Sequence, residues 1–181
     1  MKSSRLIANP LRLAAIVVLG GSFISAALAH YPGRMTGGGS IWCSGPPIST
    51  VNVGRVTHGF ELHCGTGKNP EASNPPEPNT LEINFSGGDN FHLTDLKIAN
   101  CSGGPTTRPD APFTTMYGEG DGTFNQQPAT IVFTLTDLAE PGSGVDTAYF
   151  KIVQGGVVKL DCGNYLEGGN HQAHRATGSK Q

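Results

Sequence analysis

Apolar and polar positions alternate along most of this chain instead of recurring at helical spacing. Within residues 57–64, Phe60, Leu62 and Cys64 share one parity while Glu61 and His63 take the other, the period of two that marks a half-buried strand. His58 has the inward parity, so its ring is expected in the interior, bonded to backbone. Residues 81–85 (LEINF) alternate in the same way, residues 86–90 (SGGDN) turn the chain, and residues 91–93 (FHL) resume the alternation, which predicts a hairpin. The same parity places His63 and His92 on the solvent side of one sheet. Residues 130–136 turn Ile131, Phe133 and Leu135 inward, and a Gly/Pro-rich loop at 137–144 leads to a strand at 147–153. Gln154-Gly155-Gly156 then turns into a strand at 157–162. Shorter strand candidates are 40–43, 51–56 and 116–124.

Beyond residue 29, no stretch keeps apolar residues at i, i+3, i+4 and i+7 for three turns. The chain therefore reads as all-β, an antiparallel β-sandwich of about eight to ten short strands. A barrel is the less expected closure, because the strands are unevenly spaced. Composition agrees, since 26 Gly and 13 Pro among 181 residues disfavour a helical bundle. The long Pro-rich loops, 65–79 and 102–112, are expected to be surface segments and mobile. No repeat or linker divides the chain, so residues 30–181 form a single expected domain.

Residues 1–29 have a different character. Lys2, Arg5 and Arg12 precede an almost wholly apolar run, Leu13 to Leu28, which closes on Ala27-Leu28-Ala29. A positive start, a short apolar core and small residues before the break describe a secretory signal peptide. Cleavage after Ala29 would take the net charge from −2 to −5 and leave a chain without membrane insertion, secreted or periplasmic. With no Lys/Arg cluster, nucleic-acid binding is excluded as a function. All four cysteines, Cys43, Cys64, Cys101 and Cys162, follow residue 29. An even count in an exported chain reads as two disulfides, with three connectivities open. The close Cys pairs of a zinc site are missing.

Several segments together carry a family likeness: GRMTGGGS at 33–40, RVTHGFELHC at 55–64, LEINF at 81–85, FHL at 91–93, Asp137 with Glu140-Pro141-Gly142 and Asp146, and GNHQAH at 169–174. In combination they resemble the bacterial post-COAP domain, a module found alone or in cell-surface proteins with choice-of-anchor segments. The likeness spans about residues 33–174. It implies a secreted all-β module without an established activity. It also implies that Cys64 pairs with Cys101, which leaves Cys43 with Cys162.

Candidate chemistry is sparse. His171-x-x-His174 could ligate copper or zinc if it formed a helical turn, whereas on a strand the two rings would point to opposite faces. His30, once the N-terminal residue, could chelate Cu(II) through its α-amine and Nδ1, with a second histidine completing the site. Asp137, Glu140 and Asp146 flank a Gly/Pro loop that could offer oxygens to Ca²⁺. Glu61, Glu82 and Asp89 are the carboxylates available for glycoside hydrolysis, with no pair favoured. The nucleophile elbow, zinc-protease, phosphate-loop and dinucleotide motifs are all missing. Gly37-Gly38-Gly39 precedes a strand and supplies backbone freedom. Trp42, Tyr117, Tyr149 and Tyr165 could form at most a small ring platform for a carbohydrate. The expectation is a non-enzymatic exported module of the bacterial envelope or exterior, binding or structural, whose partner could be a cell-surface protein or a polysaccharide. The alternative is a secreted copper- or zinc-binding protein using His30 or His171 and His174.

Overall fold

The computed structural model describes residues 33–43, 54–65, 78–85, 87–105 and 111–175. The described strands are β1 (Gly33–Trp42), β2 (Arg55–His63), β3 (Thr80–Phe85), β4 (Asp89–Ser102), β5 (Thr115–Phe124), β6 (Gln127–Thr136), β7 (Thr147–Gln154) and β8 (Val157–Arg175). Each pairs antiparallel with its sequence neighbours, and β1 pairs with β8, so the sheet closes into a barrel. The expected sandwich is thereby corrected to a closed barrel within the all-β antiparallel class. The uneven strands close because register shifts absorb the mismatch, at Ser40/Ile41, Leu93/Asp95, Leu96/Ile98 and Ile152/Val153.

Alternation fixes what fills the barrel. Val56, His58, Phe60 and Leu62 of β2, Leu81, Ile83 and Phe85 of β3, and Ile131, Phe133 and Leu135 of β6 are all buried. On β5 the inward parity falls on glycines. A Cβ on Gly118 would lie 2.1 Å from the Phe133 ring, one on Gly122 2.4 Å from the Phe91 ring, and one on Gly120 2.8 Å from a Leu93 methyl. These three positions are notches that large neighbours occupy, which lets an eight-stranded barrel hold four fully buried phenylalanines (Phe91, Phe113, Phe133 and Phe150).

The closing seam has little side-chain patterning. Gly37, Gly38 and Gly39 lie within β1 and face His171, Asn170 and Gly169 of β8. Gly169 has φ +107°, and a Cβ there would sit 2.1 Å from the Gly38 carbonyl oxygen, so the approach of the two backbones requires glycine. The outward wall carries Glu61, Glu82, His92, Lys97, Asp121 and Lys151. An apolar interior with a charged exterior is the reverse of a barrel whose wall faces lipid.

Two disulfides staple the barrel. Cys43, just past β1, bonds Cys162 of β8 with Cα atoms 6.0 Å apart, and Cys64, just past β2, bonds Cys101 of β4 with Cα atoms 5.6 Å apart. This is the pairing that the family likeness implied, and it suits an oxidising, extracytoplasmic compartment. The signal segment, His30, residues 66–77 and residues 106–110 lie outside the described residues, so most of both long loops does too.

Candidate functional site

β7 begins at Thr147 and pairs with β8 only as far as Tyr165. Beyond that point β8 has β1 on one side, and its other edge would expose unpaired N–H groups. The loop 137–146 covers that edge. Gly144 N–H donates to the Leu166 carbonyl (2.7 Å), and Leu166 N–H donates to the Asp146 carbonyl (2.9 Å). Farther along, carboxylates replace the missing strand: Asp146 Oδ2 accepts from His171 N–H (3.1 Å) and Asp137 Oδ2 from Ala173 N–H (2.7 Å). Asp146 Oδ1 accepts from Leu138 N–H (2.8 Å) and so folds the loop on itself.

Glu140 completes the attachment outside. Its oxygens accept from Asn170 Nδ2 (2.9 Å) and Gln172 Nε2 (3.0 Å), while Asn170 Oδ1 accepts from Gly142 N–H (2.7 Å). The three acids nominated for Ca²⁺ thus converge, but on amide donors. Their oxygens latch the loop to β8. Asp137 is buried, and burial first, then the Asp146 and Glu140 charges, push its pKa up to about 6 against the opposing pull of the Ala173 bond.

Under the latch lies a buried histidine pair. His58 Nε2 and His171 Nε2 are 2.8 Å apart, with His58 near Phe150 and His171 near Phe60. The Thr136 carbonyl can only accept, so His171 Nδ1 carries a hydrogen and donates to it (2.9 Å). His171 Nε2 is then the acceptor, and His58 Nε2–H the donor. That leaves His58 Nδ1 as a bare, buried nitrogen without a partner. Burial, with His171 alongside, pushes the His58 pKa down to about 3, and burial also lowers that of His171. Both rings are therefore neutral near pH 7. His58 is inward as its parity predicts, but its partner is a side chain and not backbone.

The other nominated groups are dispersed. His174 lies on β8 as a strand residue, so it faces the opposite side from His171. It bonds Thr36 Oγ1 (2.9 Å), and partial burial lowers its pKa. The strand therefore does not bring the two rings together, as the helical turn would have; His30 lies outside the described residues. Among the described residues, no group of three or more His, Cys, Asp or Glu side chains could hold a metal ion. His92 is outward and meets Glu82, whereas His63 is half-buried with an unpartnered Nδ1, and β3 separates their strands. Glu61 pairs with Arg34 (2.8 Å), and Asp89 accepts from Asn125 Nδ2 (2.7 Å).

Two concave features lie among the described residues, one of about 570 Å³ lined by residues such as Thr94, Asp121, Pro128 and Gly155, and a second on the wall of β6, β7 and β8. Thr134, Thr147, Tyr149, Gly163, Asn164 and Tyr165 line an open groove of about 390 Å³ across β6, β7 and β8. Tyr149 and Tyr165 were visible as candidate rings; their convergence depends on the β6–β7–β8 register, which aligns Thr134 with Tyr149, Tyr149 with Gly163, and Thr147 with Tyr165. Comparison with known protein families, curated proteins and solved structures finds no match for this chain.

Proposed function

We propose that this chain is a secreted or periplasmic, non-enzymatic module of the bacterial envelope or exterior, related to the post-COAP domain, and that it serves by binding or as a structural unit through its outer wall. One observation carries the reading. The titratable groups that chemistry would draw on are spent on the fold: Asp137, Glu140 and Asp146 hold β8, and His58 and His171 hold each other and Thr136. A general acid or base must reach a substrate proton, and these groups face amides or the barrel core. The two disulfides support the oxidising destination, as does the signal-like start.

The test is fractionation of a bacterial host expressing the full chain, followed by intact-mass analysis and thiol titration. The expected product lies outside the cytoplasm, begins at His30 and has all four cysteines oxidised. A cytoplasmic product that retains Met1 and four free thiols would overturn the reading.

A further inference from the structure

We infer that the outer groove across β6, β7 and β8 is a binding site for a neutral polysaccharide, with Tyr149 and Tyr165 as its ring platforms. This rests on the reading of the chain as a binding module and names the ligand class and the surface. The Tyr149 ring is held at two places. Its hydroxyl donates to Asp161 Oδ1 (2.9 Å), and its edge lies over Gly163, where a Cβ would come within 3.0 Å of the ring. Glycine thus leaves the groove floor flat beside a ring already fixed in position, and a fixed ring loses little freedom on binding. Tyr165 is 59% exposed and lies opposite Thr147, diagonal to Tyr149 across the β7–β8 pair. Trp42, 48% exposed, sits on neighbouring β1, where its carbonyl accepts from Asn164 Nδ2 (2.8 Å).

Charge selects the ligand. Asp161 is balanced by Lys151 (3.3 Å) and accepts from Tyr149, while Glu119 accepts from Tyr117, which is in register with Thr134, and has no ion pair among the described residues. No described cation is left over beside the groove on these strands, since Lys151 is engaged by Asp161, so an acidic polymer is disfavoured. The hydroxyls of Thr134 and Tyr165 make no side-chain hydrogen bond among the described residues, and Asn164 Nδ2 has a second hydrogen beyond the one given to Trp42. A fixed ring and an exposed one beside free hydroxyl and amide groups match a sugar, whose C–H face is weakly positive and whose rim is hydroxylated.

Affinity electrophoresis of the oxidised full chain through gels containing a β-glucan, a mannan, a xylan or, as the acidic comparison, a polygalacturonate tests this. At least one neutral polymer is expected to retard the protein. Tyr165→Ala and Tyr149→Ala should each weaken the retardation at least fivefold, while His92→Ala, on distant β4, should leave it unchanged. Circular-dichroism melts confirm that each variant is folded, and Tyr165→Ala, at an exposed position, decides the matter if Tyr149→Ala unfolds. No retardation by any neutral polymer, retardation by polygalacturonate alone, or full retardation of folded Tyr165→Ala would each overturn the site. None of these results would touch export or disulfide formation, which stand or fall by the fractionation.

Discussion

Acid should destabilise this barrel through its buried histidine pair. An ordinary histidine titrates near 6.5, whereas burial and the neighbouring His171 push His58 down to about 3, and His171 is lowered as well. The unfolded chain therefore takes up protons first as pH falls. The contribution of both rings to stability is complete above about pH 6.5 and is lost progressively below it. At ~1.4 kcal/mol per pH unit, His58 alone removes on the order of 2 kcal/mol between pH 6.5 and pH 5, and His171 adds to the loss. Asp137 acts in the opposite sense: raised to about 6, it binds its proton more tightly in the folded state, so its contribution improves as pH falls from 6 towards 3.8. The double variant His58→Phe/His171→Leu separates the two. Asp137 is common to both proteins and cancels, and the Thr136 carbonyl that loses its donor costs about 1 kcal/mol irrespective of pH. Urea melts of oxidised protein at pH 7 and pH 5 should show wild type losing roughly 2 kcal/mol or more beyond the loss in the double variant. Parallel losses would refute the buried neutral pair.

Other expected outcomes follow from single contacts. Asp146→Ala leaves the N–H groups of Leu138 and His171 without acceptors and should cost about 2–4 kcal/mol in a urea melt. Gly118→Val drives a side chain into the Phe133 ring and should cost more than about 2 kcal/mol, or prevent folding, by the same assay. His92→Ala removes a half-exposed ring from a surface pair with Glu82 and should stay within about 0.5 kcal/mol. Replacing Cys64 and Cys101 by Ala opens a 37-residue loop and should cost about 4 kcal/mol in the chain-entropy model, measured by thermal melting.

The strands legible in the sequence are β2, β3, the start of β4, β5, β6, β7 and the first part of β8. The closure was not legible. β1 begins at Gly33 and β8 runs on to Arg175, and both pass through glycines that carry no parity signal. Their pairing joins residues more than 120 positions apart, such as Ile41 with Leu166, and only that pairing turns the sheet into a barrel. The same gap hid the candidate sites. The parity of His58 was readable beside Phe60, but the inward face of His171 depends on β8 continuing past Gly168 and Gly169. Asp137, Glu140 and Asp146 were recognisable as a cluster; that they serve an otherwise open strand edge required knowing that β7 ends short of β8.

The account rests on titratable groups being fasteners of the fold, and the histidine tautomers test that most directly. Two-bond proton–nitrogen NMR spectra of the oxidised protein read the protonation state of each ring nitrogen. The structure predicts His171 protonated at Nδ1 and bare at Nε2, His58 protonated at Nε2 and bare at Nδ1, and the His58 ring unchanged from pH 7.5 to pH 5. A doubly protonated His58 ring appearing near pH 6.5, or His171 signals that shift when Zn²⁺ is added, would contradict it.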